Sequence, residues 1–255
     1  MNGILIYPSG ESRALTYAVR YLSQQGIQIA SAPSPQITHL LLPVPSLDTN
    51  GQIKGGGSLL HTLSQLPDNI TIMGGNLPKV EQESCKMIDF LQDPYYLAEN
   101  AAITADCAIR IAGSNLSAVF FGCPILIIGW GRIGKCLADK LKAMGADVTV
   151  AARKESDRAM LTALGYRVED PSRLMYSLVR YRVIFNTVPA PVLSDAQVSH
   201  CRGDCIKIDL ASSPGIAGKD VIWARGLPNQ DAPEASGILI AKTAIRLAKR
   251  RESAL

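Results

Sequence analysis

Residues 124–154 read PILIIGWGRIGKCLADKLKAMGADVTVAARK, in which an apolar strand runs into a glycine-rich turn, a helical segment and a second apolar strand. Gly129, Gly131 and Gly134 have the spacing G-x-G-x-x-G. Between a strand and a helix, this spacing is typical of a dinucleotide-binding turn. The first glycine permits the tight turn, the second lets the backbone approach a pyrophosphate, and the third lets helix and strand pack closely. A glycine-rich turn without a ligand is the alternative.

The start of the helix adds an anion site, because its first backbone N–H groups have no partner inside the helix and face the phosphates. We therefore predict that the turn and the first helical residues hold the cofactor. These residues are Gly129, Gly131, Arg132, Ile133 and Gly134.

The end of the second strand indicates which dinucleotide is preferred. An NAD site usually has Asp or Glu there, roughly 20 residues after the glycines, to bind the ribose hydroxyl. Here Arg153 and Lys154 occupy that end, and the nearby acid, Asp147, precedes the strand and lies at its far end. Because two cations suit a 2′-phosphate, NADP is predicted in preference to NAD. A solvated basic loop is the alternative.

Two later predicted strands, 183–186 and 205–210, are followed by loops that we assign to the same site. Open α/β sheets bind ligands at the carboxyl ends of their strands. Asn186, Thr187 and Ser212 can orient a nicotinamide or a substrate, although turn chemistry alone also explains them. The other cofactor contacts predicted in these loops are Val188, Pro189, Asp209 and Leu210.

Both halves of the chain alternate apolar strands with helical segments, which predicts an α/β protein with parallel sheets covered on both faces. We predict a first domain over residues 1–98 and an NADP-binding Rossmann domain over 99–236, with a bridging helix over 95–120. The segment 237–251 is predicted to be a surface helix that packs back on the first domain. The other predicted helices are 14–22, 59–66 and 133–144. The other predicted strands are 4–7, 27–30, 38–42, 70–73, 87–91, 124–128, 148–151, 166–168 and 221–224.

Composition and charge exclude several classes of protein. The 255 residues are 47% hydrophobic and 19% charged, as in a globular chain. The longest apolar run, 118–130, is shorter than the roughly 20 residues of a membrane span, and the first residues do not form a secretory signal, so we expect a cytoplasmic protein without a membrane partner. The net charge of +4 is mild and no basic face with interleaved aromatic residues is evident, so no nucleic-acid partner is expected.

The six cysteines are scattered through the chain and are expected to be reduced. His200, Cys201 and Cys205 form the pattern H-C-x-x-x-C. Because no second pair of ligands completes a four-ligand site, no metal is predicted.

Several segments, together with the glycine turn, resemble the A subunit of bacterial dipicolinate synthase. That family has the patterns G-G-D-x-R, N-x-I-P-T-A-E-G-x-I at the start of a helix, N-T-I-P, D-L-A-S-x-P-G-G and G-L-P-G-x-x-A-P-x-T-A-G. The resemblance covers nearly the whole chain and is strongest over residues 100–237. The matching segments here are SGESR (9–13), ENAAITADCAI (99–109), FNTVPAPVL (185–193), KIDLASSPG (207–215) and GLPNQDAPEASG (226–237).

The resemblance implies an NADP-linked oxidoreductase of sporulation, acting in the mother cell with the flavoprotein-like B subunit of dipicolinate synthase. Its substrate would be a small dicarboxylate, dihydrodipicolinate, which it would oxidise to dipicolinate. The fold would be that of the D-2-hydroxyacid dehydrogenases, with a flavodoxin-like first domain, which would be the substrate domain, and a Rossmann second domain. We also expect a homo-oligomer.

The matched motifs supply candidate substrate-binding and catalytic residues. The carboxylates of the substrate need cationic or N–H partners, for which Ser12 and Arg13 are the leading candidates, with Asn100 in the helix motif. Asp106 could accept the ring proton, but a helix N-terminal carboxylate or simple capping explains it equally well. The predicted catalytic residues are Thr104, Asp106 and Ser212, and no histidine lies in a matched motif.

The chain departs from the family pattern at several positions. Glu234 stands where many relatives carry lysine, and a carboxylate near a dianionic substrate would repel it. The other departures are Ala102, Ile103, Cys107, Ile216 and Asn229. Two alternatives therefore stay open, an NADP-dependent dehydrogenase of another small carboxylate and a non-catalytic NADP-binding regulatory subunit.

Overall fold

The computed structural model describes residues 3–78 and 85–252. The chain forms two compact units, one made of the residues up to Asn100 together with those from Pro228, and the other of Ala101–Leu227. The strands, in chain order, are β1 (Leu5–Pro8), β2 (Gln28–Ile29), β3 (His39–Leu41), β4 (Thr71–Gly74), β5 (Lys86–Asp89), β6 (Pro124–Ile128), β7 (Asp147–Ala151), β8 (Arg167–Glu169), β9 (Val183–Asn186), β10 (Ile206–Asp209) and β11 (Val221–Trp223). The helices are α1 (Arg13–Gln24), α2 (Leu59–Leu63), α3 (Pro94–Asn115), α4 (Arg132–Ala143), α5 (Glu155–Ala163), α6 (Asp195–Val198), α7 (Leu227–Asp231) and α8 (Pro233–Glu252).

The first unit contains a parallel sheet in the order β2-β1-β3-β4-β5. This is the order of the flavodoxin-like fold, so that prediction is confirmed. Its three central strands, β1, β3 and β4, are short and mainly apolar, because the inner strands of a parallel sheet with covered faces have no solvent side. Leu40, Ile53 and Ile72 are fully buried at the centre of its core.

The second unit contains a parallel sheet in the order β11-β10-β9-β6-β7-β8. Counted from β6, this is the Rossmann order 3-2-1-4-5-6, which confirms the second predicted fold. The order reverses between β6 and β9, which pair directly and end side by side at Ile128 and Asn186. Ligands bind at this switch point in open α/β sheets, and here the glycine turn follows β6.

Helix α8 packs on α1 within the first unit. The two helices are in close contact at Gly237, where a Cβ atom would collide with the carbonyl oxygen of Ala14 and the Cβ atom of Tyr17. Arg246 of α8 also donates hydrogen bonds to Asp93, whose side chain is only 10% exposed. A small residue and a nearly buried ion pair therefore fix the position of α8 on this unit.

Helix α3 differs from its predicted bounds at both ends. It begins at Pro94, because Asp93 accepts a hydrogen bond from the backbone amide of Tyr96 at 2.8 Å and proline suits the first helical position. The segment 99–109, which resembles the family motif at the start of a helix, therefore lies inside α3 and not at its start. The helix ends at Asn115, where the side-chain amide donates to the carbonyl of Ile111, and not at residue 120.

The remaining predicted elements match to within a few residues, with one exception in type. The predicted strand 87–91 stops at Asp89, because the carboxylate of Asp89 accepts from the amide of Leu91 and opens a short 3₁₀ turn, Phe90–Gln92. Two further 3₁₀ turns, Pro171–Tyr176 and Leu178–Arg180, precede β9. Within the described residues, no helix has both the length and the apolar character needed to cross a membrane.

Candidate functional site

The turn after β6 has a backbone that requires glycine. Gly129 has φ of +108°, and a Cβ atom there would collide with the side chains of Thr187 and Val188. A Cβ atom at Gly134 would collide with the carbonyl oxygen of Gly129, so the packing reason for the third glycine is confirmed. The turn is tied to both neighbouring strands, since the backbone amide of Gly129 donates to the carbonyl of Ala151 at 2.9 Å and that of Thr187 donates to the carbonyl of Ile128 at 2.9 Å.

Gly131 is different, because it needs no unusual backbone. Its φ is −78°, it is the N-cap of α4, and no atom lies within 4 Å of a Cβ atom built on it. No side chain caps the helix at this position. Its backbone therefore faces open space beside the first N–H groups of a helix. Such a position is suited to binding an anion. Arg132 and Ile133 contribute the first of these groups.

A cavity of about 610 Å³ opens at this point in the second unit. Its size lies within the range of small-molecule sites. Five of the predicted cofactor-binding residues line it, namely Gly129, Gly131, Arg153, Lys154 and Val188. It is also lined by residues that were not predicted, namely Ile128, Trp130, Ala151, Ala152, Asp157, Pro171, Ser172, Ala190, Pro191 and Val192.

The charges on the cavity wall are mixed. Arg153 and Lys154 are exposed there, separated by one residue from the end of β7. Asp147 lies at the opposite end of that strand, as expected, in an ion pair with Arg167. Asp157 also lines the cavity, and sequence reasoning missed it. The available signal was an acid in the first turn of α5, three residues after Lys154.

A second carboxylate, that of Asp170, binds the lining residue Ser172 without lining the cavity itself. Asp170 accepts hydrogen bonds from the backbone amide and the hydroxyl of Ser172, at 3.0 and 2.7 Å. These bonds, with the nearby Arg158, hold the pKa of Asp170 below its ordinary value, so this carboxylate stays ionised at neutral pH.

Asn186 and Asp209 do not line the described cavity, and the contact predicted between each of them and a cofactor stays a prediction. Each is almost fully buried, and the amide of Asn186 donates to Asp209 at 2.9 Å. The carboxylate of Asp209 also accepts from the backbone amides of Ala211, Gly215 and Ile216. The two side chains hold together the loops after β9 and β10, which for Asn186 is the turn-stabilising role given above as the alternative.

The other predicted residues of these loops have separate positions. Thr187 is anchored through its hydroxyl, which donates to the carbonyl of Ile128 at 3.1 Å. Leu210 is buried, whereas Pro189 and Ser212 are exposed. Of this group, Val188 alone lines the described cavity.

The first unit has a cavity of its own at the end of β1, about 560 Å³ in volume, and both Ser12 and Arg13 line it. Ser12 caps α1, its hydroxyl oxygen accepting from the amide of Leu15 at 3.0 Å. Arg13 is exposed and donates to the carbonyl of Gln230 at 3.5 Å, which uses one of its five N–H donors. Glu11 lines the same cavity and was not predicted.

The predicted residues of α3 lie in the middle of the helix. Thr104 is buried, Asn100 is partly buried and Asp106 is 60% exposed in an ion pair with Lys140 of α4, at 2.9 Å. Because α3 begins at Pro94, helix capping does not explain Asp106.

The comparisons with known proteins agree with the motifs. No protein-family model matches the chain. The A subunit of dipicolinate synthase from Bacillus subtilis (strain 168) is 24% identical over an alignment of 238 residues, and the match covers 86% of this chain and 80% of that protein. The solved A chain of dipicolinate synthase from Bacillus subtilis has a TM-score of 0.84 at 21% identity, covering 100% of this chain and 99% of that one. Salmonella D-lactate dehydrogenase has a TM-score of 0.60 at 13% identity, covering 95% of each chain.

The sequence match spans most of the chain, and the structural match spans all of it. The D-lactate dehydrogenase match agrees with the predicted dehydrogenase-like fold. The chain is thus similar to the A subunit of dipicolinate synthase in both sequence and fold.

Proposed function

We propose that this chain is an NADP-dependent oxidoreductase that oxidises dihydrodipicolinate to dipicolinate, acting with the B subunit of dipicolinate synthase in the mother cell during sporulation. The observation that carries the proposal is the cavity at the β6–β9 switch point, which combines an open glycine backbone with a cationic wall. The similarity to the A subunit of dipicolinate synthase supports the substrate. The dehydrogenase-like fold supports an oxidoreductase.

The residues of the cavity fit a nicotinamide dinucleotide. The open backbone at Gly131 and the first amides of α4 would hold the pyrophosphate. Arg153 and Lys154 would bind a 2′-phosphate. When bound, the nicotinamide supplies the hydride acceptor for the oxidation.

The reaction removes a hydride and a proton from a dihydropyridine ring, and the product is aromatic. The protein therefore has mainly to bind and orient the ring. Arg13 is the proposed partner of a substrate carboxylate, because its guanidinium is exposed at the edge of a cavity and retains unused donors. Ser12 and Asn100 are proposed to assist it. Asp106 is the proposed proton acceptor, with Thr104 and Ser212 proposed as further catalytic residues.

Three departures from the family pattern have structural explanations. Asn229 donates to the carbonyl of Val44 at 2.5 Å, which joins α7 to a loop of the first unit. Ile216 is buried and binds Asp209 through its backbone amide, which any residue type except proline provides. Glu234 lies in the first turn of α8, where a carboxylate is stabilised by the helix dipole. These roles do not require a different substrate.

Asp157 favours a second candidate for the cofactor. A carboxylate on the wall of the cavity can accept a hydrogen bond from a ribose hydroxyl, which is the usual arrangement for NAD. We place NADP first because the two cations on the same wall should attract a 2′-phosphate more strongly than the one carboxylate repels it.

The test of the reaction uses the purified chain, NADP and freshly generated dihydrodipicolinate, with and without the B subunit. We expect NADPH and dipicolinate to form in equal amounts. NADPH binding without turnover under both conditions would favour the non-catalytic regulatory role. Turnover of a different carboxylate, with none of the dihydro compound, would favour the other dehydrogenase.

The test of the cofactor is the double variant Arg153→Asp with Lys154→Ala. It should weaken NADPH binding much more than NADH binding, because the proposed contacts are to the 2′-phosphate. Arg167→Ala is the matched control, since this arginine of β8 is ion-paired with Asp147, at the end of β7 opposite to Arg153 and Lys154. Equal losses for both cofactors would refute the assignment of these two residues.

A further inference from the structure

Arg158, in the first turn of α5, folds back on the loop that carries the cationic wall. Its Nη1 donates hydrogen bonds to the carbonyl oxygens of Ala152 and Arg153, both at 2.8 Å. These carbonyls belong to the peptide groups that join Ala152 to Arg153 and Arg153 to Lys154. The guanidinium therefore sets the orientation of the backbone from which both cationic side chains of the cavity extend.

The same guanidinium also contacts a second part of the cavity lining. Its Nη2 lies 3.5 Å from Oδ2 of Asp170, and Oδ1 of that carboxylate holds Ser172 by two hydrogen bonds. Ser172 lines the cavity, whereas Arg158 lies behind the lining, with 25% of its side chain exposed. Arg158 thus braces the 152–154 loop against the 170–172 turn without facing the cavity itself.

We infer that Arg158 is a positioning residue for cofactor selectivity, which holds Arg153 and Lys154 where the 2′-phosphate of NADP binds. The inference rests on the proposed use of NADP at this cavity. A backbone that is fixed in advance lowers the entropy lost when long cationic side chains close on a phosphate. Arginine suits this role because its planar fork serves three acceptors at once, which a lysine ammonium on a flexible stem does not reproduce.

The discriminating variant is Arg158→Lys, which keeps the positive charge and removes the fork. We expect its Kd for NADPH to rise roughly tenfold, the loss of one or two charge-assisted hydrogen bonds, while the Kd for NADH changes less than about twofold. Adenosine 2′,5′-bisphosphate and ADP, used as cofactor fragments, should show the same difference. Arg167→Lys is the control, because it alters an ion pair on the same sheet outside this cavity.

The variant Asp170→Asn distinguishes two ways in which these charges could affect NADPH binding, namely positioning of the loop through Arg158 and direct long-range electrostatics. It leaves the two carbonyl contacts of Arg158 in place and weakens only its second anchor, so we expect NADPH binding to weaken by about two- to threefold. If the charges acted only at long range, removing a carboxylate near the phosphate would strengthen NADPH binding instead. Thermal denaturation of each variant shows whether the fold is intact.

The outcomes separate this inference from the proposed function. A wild-type protein that binds NADPH and NADH equally refutes the NADP assignment and, with it, the role of Arg158. A wild-type preference for NADPH that Arg158→Lys retains refutes the role of Arg158 alone. If Arg158→Lys weakens the binding of NADPH and NADH equally, the role of Arg158 is also refuted, because its contacts would then stabilise the site in general and not select between the cofactors.

Discussion

Alanine substitutions at Gly129 and Gly131 should separate the stability of the second unit from cofactor binding. The two glycines flank a single residue in the same turn. Gly129 has a positive φ and side chains packed where a Cβ atom would lie, with Val188 Cγ2 only 2.9 Å away. Gly131 has an ordinary φ and open space around the same position.

The expected costs follow from these surroundings. A left-handed backbone costs an alanine about 1–2 kcal/mol, and overpacking adds about 1–3 kcal/mol, so Gly129→Ala should lose roughly 2–5 kcal/mol of unfolding free energy. At about 2–4 °C of Tm per kcal/mol for a protein of this size, its Tm should fall by roughly 4–20 °C. Gly131→Ala should stay within about 1 kcal/mol of wild type.

Cofactor binding should respond differently. A methyl group on Gly131 occupies the space through which the backbone approaches the pyrophosphate, so NADPH and NADH should both bind more weakly. A displacement near 1 Å at such a site costs about tenfold or more in affinity or rate. Thermal denaturation measures stability, and fluorescence titration measures binding, with Trp130 in the cavity lining as reporter.

Either of two results would refute this reasoning. One is a Gly131→Ala protein that melts as low as Gly129→Ala, which would mean that the space around Gly131 is filled. The other is a Gly131→Ala protein that binds NADPH as tightly as wild type, which would mean that the pyrophosphate does not bind at this turn.

Three further predictions concern other parts of the chain. Arg13→Ala should raise the KM for the dicarboxylate at least about tenfold while leaving NADPH affinity near wild type, and unchanged steady-state turnover at low substrate would remove Arg13 from the site. Burial raises the pKa of Asp93, but hydrogen bonds from Arg246 outweigh it and hold the pKa below its ordinary value of 3.8. The stability that this pair contributes is therefore present at neutral pH and is lost as the pH falls through the folded pKa; urea unfolding of Asp93→Asn should show a deficit at neutral pH that shrinks in acid, and a constant deficit would contradict this. The nearby thiol of Cys205 lowers the pKa of Cys201 below its ordinary value despite partial burial, and Cys205 is the more deeply buried of the two. Alkylation mapped by mass spectrometry should therefore reach Cys201 before Cys205, at a rate that rises with pH, and the reverse order would contradict this.

The parts of the site that could be predicted from sequence are those set by local backbone chemistry. Gly134 was recognisable because its spacing reflects a contact inside one strand–turn–helix unit, with the carbonyl oxygen of Gly129, and Gly129 because the turn itself needs a positive φ there. The position of Arg153 and Lys154 followed from the length of one helix and one strand. Asp157 was missed because the carboxylate at the strand end was sought before α5, and its position on the cavity wall depends on how α5 starts.

The side chains that hold loops together could not be assigned in this way. Asn186 and Asp209 lie 23 residues apart, and both were expected to face the ligand. Their inward orientation depends on β9 and β10 being neighbours in the sheet, which places the two side chains within hydrogen-bond distance. Arg158 is a similar case, because its partners lie on the loop before α5 and on the turn that follows β8.

The sequence by itself determined the two α/β folds, the position of the dinucleotide turn and the resemblance to the A subunit of dipicolinate synthase. These features depend on periodicity, on glycine spacing and on the order of motifs, all of which are local along the chain. The tertiary structure alone decided which polar side chains face the cavity and which are buried beneath it. That choice depends on strand order and on hydrogen bonds between distant segments, because a buried polar group must find its partner wherever the fold places one.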